Sequence, residues 1–170
     1  MNKKSKLNRK DGFTLLESIV TLTIVLIITV CVTIGISASN RLYRKSLFYS
    51  ESEILSSIID VALSDILRYS SNVTSLDGKV SFSNINYGVA NGHLLVKDGR
   101  IYINLSDENP DDVSGSHLKT LVGNNTYTSI NASALTIDYS DEIYTGSYTL
   151  TSTLDTSLSK TFEFTFRTLS

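Results

Sequence analysis

Few side chains in this sequence are placed to do chemistry, and the sharpest of them is Glu17. It closes the stretch Lys10-Asp11-Gly12-Phe13-Thr14-Leu15-Leu16-Glu17, directly before an apolar run from Ser18 to Ala38. A charge inside a membrane-length helix costs about 2.5 to 3.5 kcal/mol on insertion scales, so a carboxylate kept there is read as functional. The two histidines, His93 and His117, lie beside loop-like stretches, Asn91-Gly92 and Ser114-Gly115-Ser116. A hydrolytic triad needs a nucleophile, a base and an orienting group, and no nucleophile-elbow sequence accompanies either histidine. Both are read as surface residues. Metal-binding Cys/His spacings and Gly-rich phosphate loops are absent. The densest acidic cluster is Asp107-Glu108-Asn109-Pro110-Asp111-Asp112. Asp107, Glu108, Asp111 and Asp112 offer the hard oxygen ligands that calcium takes, but their spacing is not that of an EF-hand loop. A solvated turn broken by Pro110 is the simpler reading. No catalytic set and no cofactor are expected, and the chain is read as a protein that is not an enzyme.

Cys31 is the only cysteine and lies inside the apolar run, so no internal disulfide is possible. It reads as a small lipid-facing or helix-packing residue. Four Asn-x-Ser/Thr triplets begin at Asn72, Asn104, Asn124 and Asn131, as expected by chance in a chain this rich in Asn, Ser and Thr.

Charge is divided unevenly along the 170 residues. The leader sets Lys3, Lys4, Lys6, Arg9 and Lys10 against Asp11, a net of +4. The remainder holds 10 basic and 16 acidic residues, a net of −6. That excess argues against direct nucleic-acid binding, which neutralises phosphates with Lys and Arg.

The element that must carry Glu17 is a helix. Ile19 to Ile36 is 18 residues without a charge. At about 1.5 Å per residue it spans roughly 27 Å, close to the hydrocarbon thickness of a bilayer. The simplest reading is an uncleaved signal anchor with its N-terminus inside. A cleaved secretory signal is the other, with Gly35-Ile36-Ser37-Ala38-Ser39 as a weak cleavage site in an apolar region longer than such signals use. Arg41, Arg44 and Lys45 follow the run and oppose the leader, whose five basic residues outnumber them and keep it inside.

Beyond Arg41 the pattern becomes striped. Apolar pairs recur at Leu47/Phe48, Ile54/Leu55, Ile58/Ile59, Ala62/Leu63 and Ile66/Leu67, a helical period that predicts one helix from Phe13 to about Leu67. Ser70-Ser71-Asn72 end it. From Lys79 the period becomes two: Val80/Phe82, Ile101/Ile103/Leu105, Leu135/Ile137/Tyr139, Tyr148/Leu150 and Phe162/Phe164/Phe166 alternate with polar residues. That predicts an antiparallel sheet of about four or more half-buried strands. A hairpin should turn at Asp98-Gly99, and another should join Thr145–Leu154 to Lys160–Thr168. Thr149, Thr151, Thr153, Thr161 and Thr165 suit a solvated sheet surface.

Gly12-Phe13-Thr14-Leu15-Leu16-Glu17, after a basic leader and before a hydrophobic helix, resembles the prepilin-type signal of type IV pilins and secretion pseudopilins. The resemblance implies that a prepilin peptidase cuts between Gly12 and Phe13 on the cytoplasmic side and methylates the Phe13 amine. A mature chain of 158 residues would remain once the 12-residue leader is removed from the 170. Glycine suits such a site because its backbone can be approached closely. The resemblance further implies an α+β fold, a long helix laid on an antiparallel sheet. Its parts are a leader over 1–12, a transmembrane half of the helix over 13–38, an amphipathic half over 39–70 and a β-rich domain over 71–170. Implied partners are other pilin subunits, the prepilin peptidase, an inner-membrane assembly platform and the lipid bilayer before assembly. Glu17 would pair with the freed amine of Phe13, in the family pattern that of the neighbouring subunit. The expected location is a single-pass membrane protein with a cytoplasmic N-terminus, then the cell-surface filament. Major pilins of the best-known group usually carry a proline in the membrane half of the helix and a C-terminal disulfide loop. This chain has neither, which suggests a minor subunit. Alternatives are an adhesin or receptor domain that borrows the pilin helix as an anchor, and a signal-anchored surface protein.

Overall fold

The computed structural model of the chain describes residues 15–76, 79–105 and 117–169. One helix, α1 (Leu15–Arg68), runs for 54 residues. It contains no proline, and its one glycine, Gly35, has open space around it. Contacts divide the chain into two units, Met1–Arg44 and Lys45–Ser170.

In the first unit every described residue is exposed, apolar ones included. An 18-residue window of the helix has a mean hydropathy of 2.8 with none of it buried, so the helix is long and apolar enough to cross a membrane. Its hydroxyls turn inward. Thr23, Thr29, Thr33 and Ser37 each donate to the carbonyl one turn earlier, at 2.8, 2.8, 2.8 and 2.9 Å. An apolar solvent offers a hydroxyl no partner, so the helix backbone supplies one.

In the second unit the helix buries Phe48, Ser52, Leu55, Ser56, Ile59, Leu63, Ile66 and Leu67, a stripe of helical period. Only one residue of most expected pairs goes inside. Leu47, Ile54 and Ile58 remain 41%, 61% and 40% exposed. Neighbouring residues on a helix point about 100° apart, so a single packed layer covers one of the two. Ile66 and Leu67 are both buried.

Five strands form one antiparallel sheet in the order of the chain: β1 (Ser71–Leu76), β2 (Lys79–Asn84), β3 (Val89–Lys97), β4 (Arg100–Asn104) and β5 (Leu118–Thr120). Three more form a second: β6 (Ile130–Ser140), β7 (Ile143–Ser152) and β8 (Ser159–Arg167). The expected hairpins are present, β3–β4 turning at Asp98 (φ 48°) and Gly99 (φ 74°), and β7–β8. Two features differ from expectation. The strands make two sheets, and β1 begins where the helical stripe stops, ahead of Lys79. Ser71-Asn72-Val73-Thr74-Ser75-Leu76 is too polar to show a period of two.

The core lies where helix and sheets meet. Tyr144, Tyr148 and Leu150 of β7 are fully buried with Ile59, Leu63 and Leu67 of the helix and Ile101 of β4. Gly146 makes room for it. A Cβ there would stand 2.3 Å from the Thr136 carbonyl oxygen and 2.6 Å from Cζ of Phe164, which takes the space instead. The opposite face of the second sheet is hydroxyl-rich, with Thr149 and Thr161 at 2.8 Å and Ser133 and Thr151 at 3.0 Å.

The chain ends on its own helix. The Leu169 N–H donates to the Arg68 carbonyl at 2.7 Å, satisfying one of the carbonyls a helix end leaves open. The Thr168 N–H and hydroxyl donate to the Glu142 carbonyl at 2.9 and 3.1 Å. That holds the β6–β7 turn, where Asp141 and Glu142 both take left-handed backbone (φ 52° and 63°).

Candidate functional site

Glu17 lies in the first described turn of α1 and is exposed. A carboxylate is favoured there, since the first turn presents unpaired N–H groups and the positive end of the helix dipole. Thr21 donates to the Glu17 carbonyl and to that of Ser18, the latter at 3.1 Å, so the turn beneath the carboxylate is internally satisfied. Gly12 and Phe13 lie outside the described residues, as do Asp107, Glu108, Asp111 and Asp112. Cys31 is exposed on the apolar helix.

The histidines part company. His117, exposed, precedes β5, and its carbonyl accepts from the Leu105 N–H at 2.9 Å. His93 is not beside a loop. It is half-buried within β3, opposite Ser81 and Asn104. Asn91-Gly92, read as a loop signal, runs inside the strand, because Gly92 is needed for close packing rather than for a turn. A Cβ there would meet Cγ1 of Val89 at 2.3 Å. Among the described residues no group of three or more His, Cys, Asp or Glu side chains is placed to hold a metal ion.

One polar cluster escaped the sequence. The Tyr148 phenol stands 2.8 Å from Oδ1 of Asp60 and 2.9 Å from Oγ of Ser56. Burial pushes the Asp60 carboxyl above its ordinary 3.8, and the Tyr148 hydrogen bond pulls the other way. Burial likewise raises the Tyr148 phenol, and the charge of Asp60 adds to the rise. Tyr144 is pushed up to about 12 by burial, against the pull of its hydrogen bond with Ser70 at 2.6 Å. Phenols held this far up stay neutral and serve as hydrogen-bond donors joining strand to helix. The signal that could have found the cluster is weak: Asp60 beside the buried stripe, and Tyr148 on the inward period of β7.

Residues 7–30 match the family described as the prokaryotic N-terminal methylation motif. No curated protein and no solved structure matches the chain. A methylation motif opening a membrane-length helix, with that helix packed on antiparallel sheets, supports a type IV pilin-like protein. The long apolar helix and the motif together support a membrane-anchored chain with a pilin-type processing signal.

Proposed function

We propose that this chain is a structural subunit of a type IV pilus or a related pseudopilus. The observation that carries the reading is the methylation motif at 7–30, set directly against an uncharged membrane-length helix. On this reading residues 1–12 are the leader, 13–38 the membrane half of the helix, 39–70 its amphipathic half and 71–170 the displayed domain. The N-terminus is cytoplasmic, prepilin peptidase cuts after Gly12, and Phe13 is N-methylated. The subunit then leaves the bilayer at an assembly platform and joins other pilins. Absence of a proline in the membrane half of the helix and of a C-terminal disulfide supports a minor share of the filament. Quantitative mass spectrometry of purified filaments tests that share, and finding this chain as the dominant component would reject it. A pilin-anchored adhesin is the second reading, favoured if loss of the chain abolishes attachment and leaves filaments intact.

Cleavage frees an α-amino group that is largely cationic at neutral pH. Glu17 lies four residues on, near the same depth in the bilayer. In low dielectric each charge is costly alone, and an opposite charge nearby offsets much of that cost. Pairing with the amine of a neighbouring subunit would set the axial register of successive helices. N-terminal sequencing of the protein from its native host should begin at N-methylated Phe13, and a retained leader in the presence of the peptidase would refute the processing step. Glu17→Ala and Glu17→Gln should both be cleaved and inserted at normal levels yet be depleted from filaments. Normal incorporation of both would eliminate charge pairing.

A further inference from the structure

From residue 18 to residue 50 the chain holds no Asp or Glu, and its only charges there are Arg41, Arg44 and Lys45. Residues 46–170 then carry 7 basic residues against 15 acidic ones. In the chain, a cationic collar thus follows an uncharged anchor and precedes an acidic domain. On the reading of an anchor with its N-terminus inside, the collar lies on the outer side. There it works against the leader, because Lys and Arg near the ends of a span set its orientation.

Two of these charges have no partner of their own. Arg41 and Arg44 are exposed, and neither guanidinium makes a hydrogen bond or ion pair among the described residues. Lys45 differs, since its ammonium lies over the Tyr49 ring, 5.9 Å from the centroid. Three residues apart on a helix, the two arginines share a face, with Cβ atoms about 5 to 6 Å from one another. Each guanidinium is a planar fork of donors that matches phosphate bidentately.

Depth points to the source of that phosphate. At about 1.5 Å per residue, Arg41 stands roughly 7.5 Å beyond Ile36 and Arg44 roughly 12 Å. The headgroup layer occupies about 5 to 8 Å on each side of the hydrocarbon. Helical side chains lean toward the N-terminus, which brings both guanidiniums back toward that layer. Tyr43, an amphipathic ring of the kind that settles at this level, is 67% exposed. Beneath Arg41 runs a groove lined by Thr33, Ile34, Ser37 and Ala38. The Thr33 and Ser37 hydroxyls are already bonded to carbonyls one turn earlier, so the groove presents apolar surface to an acyl chain. The headgroup follows from the missing acids. An amine-bearing headgroup wants a carboxylate for its ammonium, and residues 18–50 supply none.

We propose that Arg41 and Arg44 hold the phosphate of an anionic, amine-free phospholipid in the outer leaflet, with an acyl chain along the Thr33–Ala38 groove. The site rests on the membrane-anchor reading and adds which lipid the anchored chain keeps. Removal of the leader takes five basic residues with it. The collar then holds the processed chain at a fixed depth.

The test is native mass spectrometry of the full chain from its host's membranes, kept in mild detergent. It is titrated with dioleoyl phosphatidylglycerol or with dioleoyl phosphatidylethanolamine. Any leader that remains is common to all variants, so the differences between them are read. The parent should take up one phosphatidylglycerol in preference to phosphatidylethanolamine. A cation near an anionic lipid surface contributes about fivefold, so Arg41→Gln with Arg44→Gln should weaken phosphatidylglycerol binding about 30-fold. Arg41→Lys with Arg44→Lys keeps the charge without the fork and should fall between. Lys119→Gln with Arg167→Gln, which removes two exposed charges elsewhere, should bind as the parent does. Equal binding of the two lipids by the parent, or unchanged binding in the Arg41→Gln, Arg44→Gln chain, would overturn the site. Displacement of the lipid by equimolar glycerol phosphate, which has no acyl chain, would also overturn it. Ser39→Cys, in a chain carrying Cys31→Ala, should react with a membrane-impermeant maleimide on intact spheroplasts. Labelling without lipid preference would reject the site and leave the anchor reading standing. Lipid preference without labelling would support the site and overturn the orientation.

Discussion

At Tyr148 a single phenol joins strand to helix through Ser56 and Asp60. Tyr148→Phe keeps the ring and removes the donor, so it should lower stability by about 1 to 3 kcal/mol, the usual cost of stranding a buried polar partner. Thermal unfolding of the full chain in detergent would measure it. Asp60 gives the pH dependence a sign. Its folded-state pKa lies above the ordinary 3.8. Its contribution to stability is therefore fully present below that value and is lost as pH rises through the raised one. Asp60→Asn removes the titration, so the variant should gain stability over the parent between acid and neutral pH. An unchanged difference between the two proteins across that range would show that burial does not govern this carboxyl. Tyr148 was legible as an inward strand position but its pairing with Asp60 was not, because a lone Asp beside a stripe and a Tyr on a strand are ordinary in any sequence. Glu17 stood out in the sequence because it directly precedes a long run without a charge.

Among the elements, periodicity revealed the helix and the strongly alternating strands, but not how much of each was covered. The paired apolar residues of α1 gave no sign of which would face the sheets, since that depends on the layer packed against them. Strands β1 and β5 were missed, one for its polarity and the other for its length of three residues. The β6–β7 turn was missed because Asp141-Glu142 lacks the glycine that usually marks two left-handed positions. Glycine mattered more inside strands. Gly146→Ala should cost about 1 to 3 kcal/mol, since its methyl group must displace Phe164 or the Thr136 carbonyl. Asn84→Ala should cost a similar 1 to 3 kcal/mol or so by leaving the Ile66 carbonyl and the Asn86 N–H without their partner. Hydrogen exchange should then rise at Asn86, and unchanged protection there would show that the turn holds without its cap.

For the whole molecule, the processing signal is the most readable part, since it is recognised as a linear stretch at 7–30 before any folding. The last feature to note is the tail. The helix ends at Arg68, yet the group that satisfies its carbonyl is the N–H of Leu169. The partners of the helix's buried face, Tyr144, Tyr148 and Phe164, are likewise late in the chain. Synthesis delivers that face first and its cover last. Contacts so distant in sequence close slowly, and the apolar surface waiting for them is prone to aggregate. Removing residues 167–170 should leave an anchored chain whose domain is cut readily in limited proteolysis, and equal resistance to the protease would show that the tail is dispensable. Until Leu169 has been made, an unfinished domain hangs from a finished helix.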